Sequence, residues 1–317
     1  MNAPGTPEPS EVPGRPGLVH RAGFYASDDE YRRLVGGFIS AGLSKGEPTL
    51  VVLPPDRLEL VQQDLGPLDG WVELADMRVL GRNPGRVLPN LRRFSDAHPG
   101  RPVRAVGEPA FVGRTATEYL ATSEHEALVN VGLAGRPVTA LCPFNVRSLP
   151  PQVVEDARAT HPVVWEGGRE HTNHGYQPES VLNRCRRPLP APADAVDCVV
   201  ESPSQLSATR RLTSRAALRL GLPMSRLGDL EFVVTELASN SLVHTEGAAR
   251  VQVWREADAV VCAVSDAGCV SDPMAGRRLP EPGQQRGRGL RIVHELADLV
   301  RLCPRPEGTT VQVHLSL

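Results

Sequence analysis

The chain has 317 residues, 40 % hydrophobic and 23 % charged, with a formal net charge of -2. That is room for two ordinary domains, and nothing in the charge drives the whole molecule toward nucleic acid or a membrane surface. No apolar run approaches the roughly 20 residues that span a bilayer, and Met1–Gly17 lacks the charged start and apolar core of a secretory signal. Six scattered cysteines (Cys142, Cys185, Cys198, Cys262, Cys269, Cys303) form no CxxC pair. This argues against a zinc site and a disulfide framework and fits a reduced, cytoplasmic location.

Residues 1–17, rich in Pro, Gly and Glu, read as a disordered lead-in. From 18 to 176 short apolar runs alternate with helix-length segments. Ser27 is placed to cap a helix over Asp28–Ala41, with Glu30 three residues on. Thr49–Leu53, Val103–Val106 and Val138–Cys142 read as buried strands, and Thr115–Val131 as a helix between them. This alternation predicts an α/β domain with a mostly parallel sheet. Lys45, the only lysine, stands in Ser-Lys-Gly, the wrong order for a P-loop.

Residues 177–200 are rich in Pro, Arg and Ala without periodicity and read as a linker. Residues 201–317 predict an α+β domain. Pro203–Leu220, Met224–His244 and Gly289–Asp298 read as helices. Ala249–Arg255, Ala259–Val264, a segment from Leu299 and Thr309–Leu315 read as strands.

Three clusters in this domain carry chemistry. Glu236, Asn240 and His244 are spaced i, i+4, i+8 and share one helix face. Phe232, Val233, Leu237 and Val243 are expected on the other side, against the sheet. A carboxylate, an amide and an imidazole in one stripe suit a hydrated Mg²⁺ and a phosphate tail; a solvated polar face is the alternative. Asp266-Ala267-Gly268 ends a strand, where a carboxylate can accept from an exocyclic amine and a glycine lets a base approach. Gly287-Arg288-Gly289-Leu290 opens a helix and can present N–H donors to phosphate.

In this order the clusters resemble the GHKL (histidine-kinase-like, HATPase) superfamily, a Bergerat-type ATP-binding sandwich. Glu236–His244 is similar to its N-box, Asp266–Gly268 to its G1 box and Gly287–Leu290 to its G2 box. Gly308-Thr309-Thr310 fits the terminal Gly-Thr beneath the adenine. The compact arrangement is most similar to the anti-sigma serine/threonine kinase branch. The resemblance implies ATP and Mg²⁺ as cofactors. Asn240 is then the metal ligand, Asp266 reads the adenine, Gly287 and Gly289 contact phosphate, and Glu236 is the general base. Val270, where the G1 box often has a second glycine, and a short lid over Cys269–Arg286 with Pro273, Pro280 and Pro282 depart from the pattern.

Within 18–176, His20, Gly23-Phe24-Tyr25, Gly46-Glu47-Pro48, Leu141–Phe144, Leu149–Pro151 and Thr160-His161-Pro162 resemble the MEDS sensory domain. That resemblance implies a RecA-like fold without a working P-loop. His20 and His161 read as residues that tie loops to backbone groups.

The expected function is an anti-sigma regulator in a partner-switching pathway. It would bind a sigma factor or phosphorylate a STAS-domain anti-anti-sigma protein, with homodimerisation left open. One alternative is a non-catalytic module that sequesters a partner. Another is a sensor histidine kinase, with His125 as the candidate phosphoacceptor.

Overall fold

The computed structural model describes residues 17–66, 70–245, 247–279 and 287–317. Apart from Gly17, the expected lead-in lies outside these residues, as do Pro280 and Pro282 of the expected lid. The chain divides into two compact units. One comprises the chain through Arg78 with Phe94–Arg114 and Val129–Val181. The other comprises Val79–Arg93, Thr115–Leu128 and Leu182–Leu317.

The first unit is built on a seven-stranded sheet. Its strands are β1 (Leu18–Tyr25), β2 (Thr49–Leu53), β3 (Val72–Asp76), β4 (Val103–Gly107), β5 (Val138–Asn145), β6 (Val163–Glu166) and β7 (Arg169–Thr172). They lie in the order β3-β2-β4-β5-β1-β6-β7, parallel except for the β6–β7 hairpin. Every residue of β2 is buried, which explains its unbroken apolar sequence: a parallel strand is covered on both faces and has no polar alternation. After β1 the chain enters a helical stretch as expected. Ser27 Oγ accepts from the Glu30 N–H at 3.3 Å, and the Glu30 carboxylate accepts from the Ala26 N–H at 2.6 Å. This stretch runs through α1 (Asp28–Tyr31), a π-helical turn over Arg32–Gly36 and α2 (Gly37–Ser44). Tyr25, Tyr31, Val35, Ile39, Val51, Leu53 and Val106 form a core where this stretch lies on the sheet. Further helices of the chain are α3 (Pro55–Leu65), α4 (Met77–Leu80), α5 (Val87–Asp96), α6 (Ala116–Gly132) and α7 (Pro151–Thr160); most of α5 and of α6 belongs to the second unit. No helix among the described residues is long and apolar enough to cross a membrane.

Residues 177–200, which show no clear period in sequence, contain α8 (Pro178–Cys185) and β8 (Val196–Val200). β8 is the edge strand of the second sheet, paired to β9 (Ala249–Glu256). The other strands are β10 (Ala259–Asp266), β11 (Leu299–Arg305) and β12 (Gly308–Ser316), in the order β11-β12-β10-β9-β8, all antiparallel. Period-two alternation decides its two faces. Val251, Val253, Val260, Cys262 and Val264 point to one core with Val311 and Val313, while Trp254, Val261 and Ala263 gather on the reverse side. The helices α9 (Leu206–Arg219) and α10 (Leu227–His244) bury Ala217, Leu230, Val233, Val234, Leu237 and Ala238 in the first core. The short α11 (Gly289–Leu296) adds Val293.

One expectation for α10 fails. Val243 is 75 % exposed, because at 100° per residue it lies about 120° around the helix from Leu237. Ser241, only about 40° from Leu237, takes the buried place instead.

Candidate nucleotide-binding site

The three clusters meet in one cavity of about 300 Å³. α10 supplies Glu236, Asn240, Ser241 and His244 to its wall. The end of β10 and the turn after it supply Asp266 and Gly268, Gly287 lies just before α11 and Gly289 and Leu290 open it, and Thr309 comes from β12. Glu236, Asn240, His244, Asp266, Gly268, Gly287, Gly289, Leu290 and Thr309 therefore line the same opening, whereas Gly308 and Thr310, on either side of Thr309, do not. The floor is apolar: Val264, Leu302 and Val311 come from three adjacent strands, and Leu237 from the helix above. A flat aromatic ligand fits that combination of apolar floor and a few polar rim groups. A larger hollow of about 450 Å³ opens among Arg250, Gln252, Trp254 and Ala263. It carries neither the α10 stripe nor the α11 glycines, so the smaller cavity is the candidate.

Hydrogen bonds hold the carboxylates in place. Asn240 Nδ2 donates to Glu236 Oε1 at 3.2 Å, as the i, i+4 spacing requires. The Ser241 hydroxyl donates to Asp266 Oδ2, and the Gly268 N–H donates to Asp266 Oδ1 at 2.8 Å. Thr309 Oγ1 donates to the Gly268 carbonyl at 2.7 Å and accepts from the Val270 N–H at 3.2 Å. Asp266 is thus fixed from the helix and from its own turn, and Thr309 ties that turn to β12. Val270, the departure from the G1 pattern, contributes its backbone to this lock.

Two glycines stand at close approaches. A Cβ on Gly289 would lie 1.6 Å from Glu236 Oε1, so the start of α11 comes down directly beside the carboxylate. At Gly308 the backbone has φ +145°, and a Cβ there would lie 2.0 Å from the Asp266 carbonyl oxygen. Sequence reasoning missed Ser241 and the apolar floor. Ser241 immediately follows Asn240, but only the helical phase relative to the buried Leu237 and Val234 shows that it points inward.

The N-terminal unit tests a further expectation. His161 Nδ1 sits 2.7 Å from the Ala157 carbonyl oxygen, a backbone tie as expected. His20 meets two side chains, Asn130 Oδ1 at 3.2 Å and Cys142 Sγ at 3.5 Å.

Comparison with known families agrees with both halves. Residues 19–162 match the MEDS (MEthanogen/methylotroph, DcmR Sensory) domain, and residues 199–315 match the histidine kinase-like ATPase domain. The chain therefore carries an N-terminal MEDS domain followed by a histidine kinase-like ATPase domain, a module that binds ATP. No curated protein matches its sequence. Among solved structures, the RsbU and RsbW domains of Rv1364c from Mycobacterium tuberculosis align at 18 % identity with a TM-score of 0.30. The match covers 40 % of this chain and 33 % of that one, so the chain spans about a third of that structure's length.

Proposed function

We propose that the protein is a serine/threonine kinase of the anti-sigma type, acting on a STAS-domain partner under the control of its MEDS domain. The observation that carries this reading is the convergence of Glu236, Asn240, Asp266, Gly289 and Thr309 on one cavity. Asp266 accepts from the adenine amine, and the apolar floor takes the ring. Asn240 would hold Mg²⁺, which supplies charge neutralisation at the phosphates. Glu236 takes the proton from the partner's hydroxyl. The partner's oxygen bonds to the γ-phosphorus, the bond to the bridging oxygen breaks, and ADP leaves.

The burial of His125 counts against a sensor histidine kinase: it is 3 % exposed on α6, a poor place for a phosphoacceptor. The test is co-purification with ATP present, identification of the captured partner and a phosphotransfer assay on it. Acid-stable phosphoserine or phosphothreonine that disappears in Glu236→Ala is the expected result. A partner that binds wild type and Glu236→Ala alike and is never phosphorylated would leave a sequestering module in its place.

A further inference from the structure

A second chemical cluster, independent of ATP, lies in the N-terminal unit. His20 is in β1 and Cys142 in β5, two parallel neighbours registered with His20 opposite Ala140. Cys142 is two residues beyond Ala140, so alternation puts its side chain on the same face as His20. His161 follows α7 and brings its ring centroid to 4.0 Å from that of His20. His20 and His161 are fully buried and Cys142 nearly so. The ligand-type atoms of these three side chains lie within 4.8 Å of one another.

The hydrogen bonds set the tautomers. Asn130 Nδ2 donates to the Thr160 carbonyl at 2.8 Å, which turns the Asn130 oxygen toward His20 Nδ1 at 3.2 Å. An amide oxygen only accepts, so His20 Nδ1 carries the hydrogen. His161 Nδ1 faces the Ala157 carbonyl oxygen at 2.7 Å and carries one for the same reason. In a neutral imidazole the lone pair is then on Nε2 in both rings. A histidine whose Nδ1–H is committed to a carbonyl oxygen is the usual outer-shell arrangement of a metal-ligating histidine.

The spacing fits as well. His20 Nε2 and Cys142 Sγ are 3.5 Å apart. With Zn–S of about 2.3 Å and Zn–N of about 2.0–2.1 Å at a tetrahedral angle, ligand sulfur and nitrogen stand roughly 3.6 Å apart. A plain S–H···N hydrogen bond explains that pair, but not the second imidazole brought onto the same buried thiol.

We propose that His20, Cys142 and His161 bind a borderline-soft transition-metal ion of the zinc class. Two imidazole nitrogens and a thiolate suit such an ion and are a poor set for Mg²⁺ or Ca²⁺. Cys142 gives up its thiol proton to solvent as the metal–sulfur bond forms.

The probe is Co²⁺ titrated into the full chain, stripped with a chelator and kept reduced. One equivalent should produce the intense near-ultraviolet thiolate-to-cobalt absorption, and Zn²⁺ should abolish it. Cys142→Ser should lose the band. Asn130→Ala, which removes the oxygen that orients His20, should weaken Co²⁺ binding by about tenfold or more while keeping the band at saturation. A folded wild-type chain with no such band overturns the proposal, and so does a Cys142→Ser chain with an unchanged spectrum and affinity. The wild-type spectrum decides whether a thiolate ligates even where a variant does not fold. Nucleotide binding in the same sample separates this result from the ATP reading.

Discussion

Arg86 closes the carboxyl end of the helix that carries His294. From a 3-10 turn over Pro84–Arg86, its guanidinium donates to the backbone carbonyls of His294 (2.8 Å), Glu295 and Ala297 (2.7 Å). Asn83 Nδ2 also donates to the His294 carbonyl, at 2.9 Å. The last carbonyls of a helix have no partner within it, and a cation there also complements the helix dipole. α11 has only eight residues, so this clasp holds a large share of it. Its other end carries Gly289, in the wall of the candidate nucleotide cavity.

Arg86→Ala should therefore act on the ATP site from a distance. Partly buried carbonyls lose charged donors, at about 1–3 kcal/mol for a group left unsatisfied. The expected outcome is faster amide exchange along α11 and several-fold weaker ATP binding. Exchange mass spectrometry and nucleotide titration on the same variant check it. Unchanged exchange in α11 would show that the clasp is dispensable.

The two crowded glycines should fail in different ways. In Gly289→Ala the new methyl meets the end of the Glu236 side chain, which can swing aside. The fold should survive, and on the proposed kinase reading phosphotransfer should fall by at least about tenfold, since displacing the base proposed at Glu236 forfeits part of the 10²–10⁴-fold typical of general base catalysis. In Gly308→Ala the methyl meets the Asp266 backbone at a φ that L-residues rarely adopt, and neither can yield cheaply. A loss of about 3 kcal/mol or more is expected from strain and overpacking together. Denaturant unfolding separates the two variants: near wild-type stability for the first, a large drop in midpoint for the second.

How far the site could be read from sequence follows from how local each signal is. The Glu236–Asn240–His244 stripe needs only helical periodicity, and the Asp266–Gly268 and Gly287–Leu290 clusters that follow it along the chain carry the rest of the rim. The floor residues Val264, Leu302 and Val311 are ordinary core positions until strand order brings β10, β11 and β12 side by side. Val243, near the helix end, fits a core pattern by composition, and only its helical phase puts it in solvent. The strand Val196–Val200 is hidden in sequence because its partner, β9, begins 49 residues after it ends. His20 and Cys142 stand 122 residues apart, and only the parallel β1–β5 register puts them on one face.

Asp266→Asn tests the placement of the adenine. The substitution keeps size and an acceptor oxygen but removes the charge. A hydrogen bond to a charged group contributes about 1.5–3 kcal/mol, so ATP affinity should fall by roughly 10- to 100-fold. Ser241→Ala removes the hydroxyl that holds Asp266 Oδ2 and should give a smaller loss in the same direction. Equal ATP affinity in wild type and Asp266→Asn would place the base elsewhere.

The two units should respond to pH with opposite sign. In the first, Glu108 is buried, accepting from Tyr25 at 2.7 Å and Tyr31 at 3.2 Å, and burial pushes its carboxyl from the ordinary 4.5 up to about 7. Between those values the folded state keeps a proton that the unfolded state releases. Stability from this group is therefore full below about pH 4.5 and declines as pH rises to 7, by about 3 kcal/mol at 1.36 kcal/mol per pH unit. In the second unit, burial, reinforced by Arg301, pushes His314 from 6.5 down to about 4. Here the unfolded state takes up the proton first, so stability is full above about pH 6.5 and falls as pH drops toward 4, by a similar amount. Burial and the nearby Arg277, Arg86 and Arg291 lower His294 as well, which steepens that acid loss. Denaturant unfolding from pH 4 to 8, followed separately by Trp165 and Trp254 fluorescence in single-tryptophan variants, reads the two slopes. Glu108→Gln should flatten the Trp165 profile across pH 4.5–7 and leave the Trp254 profile unchanged. A Trp165 transition that stays steep in Glu108→Gln would assign the proton to another group.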